Sequence, residues 1–244
     1  MGNSLIVSNL SKRYGRRLVV DDLSFSMRSG EIVGLLGPNG AGKTTTFYMI
    51  VGFLKVRKGS IILNGEDVTG LPMHERSKKG LSYLPQEPSI FRKLSVRDNI
   101  LLVAQSRNDL TRHEKHHLVD QLVEEFGLTH VVRQKGYTLS GGERRRCEIA
   151  RALAASPTFL LLDEPFAGID PKAVYEIKLL IKKLASQGIG ILLTDHNVRD
   201  TLAVTTNAHI INDGSILVSG TKNELLAHEL ARKIYFGDQF EGEL

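Results

Sequence analysis

The chain has 244 residues, of which 41% are hydrophobic and 24% are charged. Lysine and arginine number 32 against 27 aspartate and glutamate residues, so the formal net charge is +5. This composition excludes a disordered chain, a fibrous repeat and a disulfide scaffold, because the apolar content supplies a core and Cys147 is the single cysteine. No apolar run approaches the ~18 residues of a membrane span, and we expect no secretory signal in the first residues.

The basic excess is mild and scattered along the chain. Its densest short groups, at 76–79 and 144–146, lack the interleaved aromatic residues or base-reading motifs of nucleic-acid binders. We therefore expect no nucleic-acid partner. The basic residues are interpreted as a solvated face, or as contacts with an acidic partner or anionic lipid headgroups. For Arg144 to Arg146 the expectation is a solvated face or a contact with a second copy of the chain.

Short apolar runs alternate with amphipathic segments, which predicts an α/β protein. Residues 5–25 and 60–64 indicate an antiparallel β region near the start of the chain. Residues 31–36 are predicted to form a strand that leads through a glycine-rich turn into a helix. Residues 95–126 are predicted to be helical, because two capping boxes and an apolar repeat at every fourth residue lie within them.

Two later segments, 158–162 and 189–194, are continuous apolar runs, typical of strands buried on both faces of a parallel sheet. A helix is predicted to begin at Pro171 between them, because Asp170 can cap it and proline suits the first turn. An apolar stripe at helical spacing follows. The strand, helix and strand together predict a parallel crossover unit.

The turn at 37–44 matches the phosphate-loop pattern at every fixed position, with a strand before it and a helix after it. Its glycines let successive N–H groups point at phosphate oxygens. Lys43 places a positive charge on the β- and γ-phosphates, and Thr44 offers its hydroxyl to Mg²⁺. The predicted nucleotide-binding residues here are Gly37, Pro38, Asn39, Gly40, Ala41, Gly42, Lys43, Thr44 and Thr45.

Asp163 and Glu164 follow the buried run 158–162 directly. Taken alone, such a pair is two acidic residues in a loop. After a phosphate loop, it indicates a site in the crevice at the carboxyl ends of the strands. Asp163 is then predicted to hold Mg²⁺, and Glu164 to act as the general base on the attacking water.

Residues 139–143, Leu-Ser-Gly-Gly-Glu, predict a capping box at the start of a helix whose N-terminal N–H groups are open to an anion. In this order along the chain they resemble the signature motif of the ATP-binding cassette family. The resemblance covers about residues 4–235. It implies an α/β P-loop NTPase fold with a mainly parallel core sheet, an N-terminal antiparallel β region and an inserted α-helical subdomain. We expect a single domain over 1–240, with the helical subdomain at about 90–157 and a short acidic tail at 236–244.

The resemblance assigns further roles. Tyr14 looks like the aromatic residue that stacks on adenine, although an exposed tyrosine at a strand end is the plainer alternative. Gln86 resembles the glutamine that touches Mg²⁺ and the attacking water, and His196 the histidine that contacts the γ-phosphate. Asp170 matches the end of the family's D-loop, but the three residues before it depart from the common Ser-Ala-Leu.

These assignments give three overlapping sets. The catalytic set is Glu164, His196 and Gln86. The metal set is Thr44, Gln86 and Asp163. Ser140, Gly141, Gly142 and Asp170 join the nucleotide-binding set through a second copy, because the family sandwiches ATP between the phosphate loop of one cassette and the signature of another. The resemblance therefore implies ATP and Mg²⁺ as cofactors and a head-to-tail homodimer.

The segment 86–99 resembles that of the ATPases that power lipopolysaccharide export in Gram-negative bacteria. This implies two integral membrane permease subunits that dock near Phe91, and a place on the cytoplasmic face of the inner membrane. Lipopolysaccharide would be handled only indirectly, through those partners. Phe91 itself is either an exposed anchor for the partner or a core residue of the helical subdomain. The alternatives are the ATPase of a branched-chain amino-acid importer, another lipid transporter, and a soluble cassette protein.

Two minor features receive plain interpretations. His113, His116 and His117 lie at helical spacing, but basic residues interrupt them and no fourth ligand is evident, so we expect a solvated face. Cys147 falls among small and apolar neighbours and is expected to be buried.

Overall fold

The structure is a computed structural model that describes residues 2–236. The expected acidic tail lies outside the described residues, apart from the backbone of Phe236. The strands are β1 (Ser4–Tyr14), β2 (Arg17–Arg28), β3 (Ile32–Leu36), β4 (Lys58–Leu63), β5 (Glu66–Asp67), β6 (Leu81–Leu84), β7 (Phe159–Asp163), β8 (Gly190–Thr194), β9 (Asn207–Asn212) and β10 (Ser215–Gly220). The α-helices are α1 (Lys43–Val51), α2 (Met73–Lys78), α3 (Val96–Ala104), α4 (Arg112–Glu125), α5 (Gly141–Leu153), α6 (Pro171–Ser186), α7 (Val198–Leu202), α8 (Lys222–Ala227) and α9 (Glu229–Ala231). Short 3₁₀ turns occupy Thr129–Val131 and Gly136–Thr138, and a π-helical turn occupies Arg232–Phe236.

The strands form two sheets. The first has the order β2-β1-β4-β5 and is antiparallel, so that Leu5 of β1 faces Met27 on one side and Leu63 on the other. The second has the order β10-β9-β3-β8-β7-β6 and is parallel except for the β9–β10 pair at its edge. The predicted antiparallel region and mainly parallel core sheet are thereby confirmed.

The core sheet is covered on both faces, which explains the continuous apolar runs. Every residue of β7 is buried. Leu160 and Leu162 pack into a cluster with the helices that follow β6, whereas Leu161 packs into a second cluster with β1, β2 and α1. Because successive side chains of a strand point to opposite faces, an all-apolar strand is what two covered faces require.

Helices α3, α4 and α5 pack against one another between β6 and β7 in the chain. Ser95 caps α3 by accepting from the N–H of Asp98, and Thr111 forms a complete capping box with Glu114 at α4. The helical stretch predicted at 95–126 is thus two helices, and each begins at a predicted capping residue. Within residues 2–236, no helix is long and apolar enough to cross a membrane.

The parallel strands bring their carboxyl ends to one edge of the core sheet. Asp163, the last residue of β7, is paired with Thr194, the last residue of β8. The phosphate loop follows β3, the neighbour of β8, and Gln86 follows β6, the neighbour of β7. Residues separated by more than 100 positions in the chain therefore meet at this edge, where open α/β sheets bind ligands.

Candidate functional site

The phosphate loop fills residues 37–44, between the end of β3 and the first turn of α1. Gly42 has φ of 106°, and a Cβ there would lie 2.6 Å from the carbonyl oxygen of Val19. A Cβ on Gly37 would lie 2.2 Å from the carbonyl oxygen of Ile211. Neither position admits a side chain, so the pattern's glycines are required by close backbone approach.

The members of the predicted loop set differ in exposure. Lys43 is buried, and its Nζ donates to the carbonyl oxygens of Gly37 at 2.7 Å and Pro38 at 3.0 Å. Burial lowers the pKa of Lys43, and the charges of Glu164 and Asp163 act in the opposite direction. The exposed members are Pro38, Asn39, Gly40 and Thr44, and the buried or half-buried members are Gly37, Ala41, Gly42, Lys43 and Thr45.

Among the three predicted catalytic residues, Glu164 contacts both of the others. Nε2 of Gln86 donates to Oε2 of Glu164 at 2.6 Å. Nε2 of His196 lies 2.6 Å from Oε1 of the same carboxylate. Glu164 therefore stands between the residue that follows β6 and the residue that follows β8, with both carboxylate oxygens engaged.

The backbone of Glu164 is unusual. Its φ is +47°, in the left-handed region that a residue with a side chain rarely adopts. Its N–H donates to the carbonyl oxygen of Thr194 at 2.8 Å, which holds the turn against the end of β8. Burial raises the pKa of the Glu164 carboxyl, with His196 acting against it. Strained backbone and a raised carboxyl pKa are both common where a side chain is held for chemistry.

Asp163 is buried at the end of β7. The hydroxyl of Tyr83 donates to its Oδ2 at 3.1 Å, and Nη2 of Arg145 donates to its carbonyl oxygen at 3.2 Å. Burial raises the pKa of Asp163, and the hydrogen bond from Tyr83 opposes that rise. The carboxylate is therefore fixed in place next to the phosphate loop.

The predicted metal set suits a hard cation. Thr44, Gln86 and Asp163 offer a hydroxyl, an amide and a carboxylate, and oxygen donors are what Mg²⁺ selects. Within the described residues, no group of three or more His, Cys, Asp or Glu side chains is arranged to hold a metal. The donors present match the usual Mg²⁺ site of a nucleotide enzyme, where one or two side chains act together with phosphate oxygens.

Asp195 is a functional candidate that the sequence analysis missed. It is buried between Thr194 and His196, and its Oδ2 accepts from the N–H of Phe166 at 3.0 Å. Its Oδ1 accepts from the N–H of Asn197 at 2.9 Å. The carboxylate thus ties the turn after Glu164 to the turn that carries His196.

The signature residues form a second group, away from these contacts. Ser140 is exposed and makes a complete capping box with Glu143 at the start of α5. A Cβ on Gly141 would lie 3.5 Å from the carbonyl oxygen of Gly168, so the signature packs beside the predicted D-loop. Asp170 caps α6 by accepting from the N–H groups of Lys172 and Ala173. Its observed role is helix capping, and a nucleotide contact from it remains a prediction.

The prediction that Arg144 to Arg146 lie on a solvated face or against a second copy is wrong for Arg145, which is buried. Its Nη1 donates to the carbonyl oxygen of Pro85 at 3.0 Å and lies 3.2 Å from Oε2 of Glu148. The same guanidinium reaches the carbonyl of Asp163. Arg145 therefore connects α5 to the ends of β6 and β7.

A second arginine of α5 holds the segment after Gln86. Arg151 donates to the carbonyl oxygen of Ser89 at 2.7 Å and to its hydroxyl at 2.6 Å. The N–H of Ser89 donates to Glu148 at 2.7 Å. Arg151 also lies over the ring of Phe91, 5.5 Å from its centroid. Phe91 is 50% exposed, so the alternative that it is a core residue is contradicted.

The remaining predictions concern the periphery. Tyr14 is 48% exposed at the end of β1, with Nζ of Lys12 over its ring at 5.4 Å from the centroid, and adenine stacking by Tyr14 stays a prediction. His113 and His117 are exposed, as expected for a solvated face, and His116 is half-buried beside Arg97. Cys147 is buried, as predicted.

A glycine-rich loop between a strand and a helix, a buried lysine bonded to that loop, and two carboxylates at the same sheet edge define a P-loop nucleoside triphosphatase. The family model described as ABC transporter matches residues 20–167, and the chain belongs to that family. It is an ATP-binding cassette enzyme, an ATP hydrolase, as the resemblance implied.

Curated relatives match over nearly the whole chain. It is 52% identical over 237 residues to the lipopolysaccharide export system ATP-binding protein LptB of Haemophilus influenzae, covering 97% of this chain and 98% of the relative. LptB of Acidithiobacillus ferridurans is 53% identical over 241 residues, with 99% and 100% covered. Among solved structures, the ADP conformation of MJ1267, an ATP-binding cassette of an ABC transporter, matches with a TM-score of 0.85 and 26% identity. That match covers 98% of this chain and all of the other.

Proposed function

We propose that this chain is the ATP-hydrolysing subunit that powers lipopolysaccharide export from the inner membrane toward the outer membrane. The observation that carries the proposal is the identity of 52–53% to LptB proteins over almost the full length of both chains. The resemblance of segment 86–99 to lipopolysaccharide-export ATPases supports the same assignment.

In the proposed reaction Glu164 accepts a proton from water as that water attacks the γ-phosphorus, the bond to the β–γ bridging oxygen breaks, and ADP leaves with that oxygen. His196 contacts the γ-phosphate, and Gln86 orients the water. Lys43 neutralises charge on the β- and γ-phosphates from its position along the loop. The 2.6 Å contacts of Gln86 and His196 with Glu164 support these roles, because they place all three groups within reach of one reacting centre.

Mg²⁺ supplies charge neutralisation at the transferred phosphoryl group when it is bound. Thr44, Asp163 and Gln86 are the residues proposed to hold it. Tyr14 is proposed to stack on the adenine ring, since nearly half of its surface is free.

The proposed assembly is a head-to-tail dimer of this chain. Ser140, Gly141 and Gly142 lie beside the D-loop rather than among the contacts of Glu164. A second copy is therefore needed to present a signature and Asp170 to the nucleotide bound at the phosphate loop. The dimer has two-fold symmetry and closes on two ATP molecules.

Two integral membrane permease subunits are proposed to dock near Phe91, which places the dimer in the cytoplasm against the inner membrane. Phe91 offers an exposed ring, and Arg151 holds the neighbouring segment to α5 through Ser89. In this proposal the partners bind lipopolysaccharide, and the chain transmits the energy of ATP hydrolysis to them through the contact at Phe91.

The test is purification of the protein from detergent-solubilised native membranes in ATP and Mg²⁺, followed by identification of what accompanies it. Two lipid-exporter-type permeases with bound lipopolysaccharide are the expected result. Amino-acid permeases with a periplasmic binding protein would move the assignment to import and leave the ATP-site roles intact. An active ATPase without any membrane partner would contradict both transport assignments.

A further inference from the structure

Tyr83 is half-buried next to Asp163 of the proposed ATP site, although no phosphate-binding motif includes it. It lies on β6, where the parallel register pairs it with Leu161 of β7. Asp163 stands two residues after Leu161, so its side chain is on the same face of the sheet. The hydroxyl of Tyr83 crosses to that position and donates to Oδ2 of Asp163 at 3.1 Å.

This hydrogen bond determines which oxygen of Asp163 is engaged by the protein. Tyr83 donates to the side-chain carboxylate of Asp163, whereas Arg145 donates to its backbone carbonyl. A carboxylate can rotate about its terminal bond, which is a broad torsion. The hydrogen bond from Tyr83 to Oδ2 restricts that rotation. Oδ1 is then the oxygen left to accept from another group.

The ring of Tyr83 is itself held by the helix that follows the phosphate loop. Tyr48 on α1 lies edge-on to it, with ring centroids 6.3 Å apart and planes at 86°. Phe53, just after α1, makes a similar contact at 5.8 Å and 82°. Tyr48 and Phe53 also pack against each other at 5.6 Å. The three rings therefore connect α1, the helix after the phosphate loop, to Tyr83, whose hydroxyl donates to Asp163.

We propose that Tyr83 is a positioning residue that orients the Asp163 carboxylate for the Mg²⁺ of Mg²⁺-ATP. Partners that orient a metal ligand commonly change metal affinity by ~10- to 100-fold when removed. Tyr83 does not touch the nucleotide in this arrangement. Its loss weakens metal binding, and with it the metal-dependent part of ATP binding, but leaves ATP binding in the absence of metal unchanged. The inference rests on the proposed ATP site.

The test is Tyr83→Phe, which removes the hydroxyl and keeps the ring between Tyr48 and Phe53. It is made in the Glu164→Gln background so that bound ATP persists. ATP affinity is measured by calorimetry in EDTA and across a Mg²⁺ titration, and Mn²⁺ binding in the presence of ATP is measured by electron paramagnetic resonance. Tyr175→Phe is the matched control, because Tyr175 is 63% exposed on α6.

The expected result is a Mg²⁺ midpoint and a Mn²⁺ dissociation constant raised by about tenfold or more in Tyr83→Phe. ATP affinity in EDTA and the thermal midpoint stay close to those of the parent, and Tyr175→Phe matches the parent throughout. An unchanged Mg²⁺ midpoint overturns the inference. Equal losses of ATP affinity with and without metal also overturn it, because they indicate a structural role. A parent that binds no ATP under any condition contradicts the proposed function instead.

Discussion

The side-chain amide of Gln86 donates to Oε2 of Glu164 at 2.6 Å, while His196 occupies the other oxygen of the same carboxylate. In this arrangement both acceptor atoms of the proposed base are engaged by protein. Each carboxylate oxygen can accept a further hydrogen bond, so a water molecule can approach the same carboxylate beside Gln86 and His196. In the proposed reaction His196 contacts the γ-phosphate and Gln86 orients the water, and we expect those contacts to compete with the bonds that both side chains make to Glu164.

Replacement of the base tests this arrangement most directly. In Glu164→Gln we expect ATP turnover to fall by about 10²- to 10⁴-fold, the usual contribution of a general base. ATP binding is expected to persist, and the nucleotide-bound dimer to become long-lived, because hydrolysis no longer opens it. Steady-state phosphate release and size-exclusion chromatography with ATP measure the two effects. Glu124→Gln, an exposed carboxylate on α4, is the charge-matched control. Near-normal turnover in Glu164→Gln would remove Glu164 from its role.

The docking proposal predicts a selective defect in Phe91→Ala. Loss of an exposed aromatic anchor at the centre of an interface commonly costs ~2 kcal/mol or more. The affinity for the membrane subunits should therefore fall by roughly 30-fold, and less of them should be recovered with the variant. ATP binding by the purified chain should be unchanged. Tyr175→Ala, an exposed aromatic residue on α6, is the control for loss of ring area. If Phe91→Ala abolishes ATP binding instead, Phe91 has a structural role.

The buried ion pair between Arg145 and Glu148 in α5 predicts a large loss of stability when either partner is removed. Glu148→Ala leaves the guanidinium of Arg145 buried without its carboxylate, and removal of one partner of a buried ion pair commonly costs about 3–5 kcal/mol. The free energy of unfolding, measured by urea denaturation, should fall by that amount. Lys183→Ala breaks the more exposed pair with Glu125, and a surface pair contributes about 0–1 kcal/mol. A loss below about 1 kcal/mol in Glu148→Ala would show that Arg145 is solvated in the native protein.

A pH effect on stability is predicted at His209. Burial lowers the pKa of its imidazole to about 4, and the Phe25 ring, with its centroid 5.3 Å away, is among its neighbours. In the unfolded chain the pKa is the ordinary 6.5. Between these values the unfolded chain binds more protons than the native protein, so the His209 contribution to stability is full above about pH 6.5 and is lost as pH falls toward 4.

The measurement compares the free energy of unfolding of the wild-type protein and of His209→Gln at pH 7.5 and pH 5. The stability difference between the two proteins should shrink or reverse at the lower pH, because glutamine does not titrate. A difference that stays constant across the two pH values would contradict the assignment of His209 as half-buried and neutral in the native protein. Other titrating groups cancel in the comparison, since both proteins contain them.

The sequence was sufficient to predict the sheet edge and its main residues. The phosphate loop follows β3, Asp163 and Glu164 stand at the end of β7, and His196 comes two residues after β8. The carboxyl ends of parallel strands meet at one edge. Local patterns of this kind depend only on neighbouring residues. They can therefore be recognised in the sequence without knowledge of the register between distant strands.

Other site residues were not predictable, because their roles depend on long-range register. Arg145 and Glu148 have the i, i+3 spacing of an ordinary exposed helix pair, and nothing local distinguishes a buried pair from a solvated one. Tyr83 donates to a carboxylate 80 residues away only because β6 lies beside β7 in this register. Asp195 likewise acquires its partners from the turn after β7.

Burial of Cys147 has a practical consequence for studying the proposed catalytic cycle. The thiol is enclosed on α5, and burial raises its pKa to about 12, so almost no thiolate forms near neutral pH. Maleimide and iodoacetamide dyes should therefore leave the wild-type chain unlabelled. Because the chain has a single cysteine, a second one placed at an exposed site would be its only reactive thiol. Fluorescent reporters of opening and closing can thus be attached without first building a cysteine-free protein.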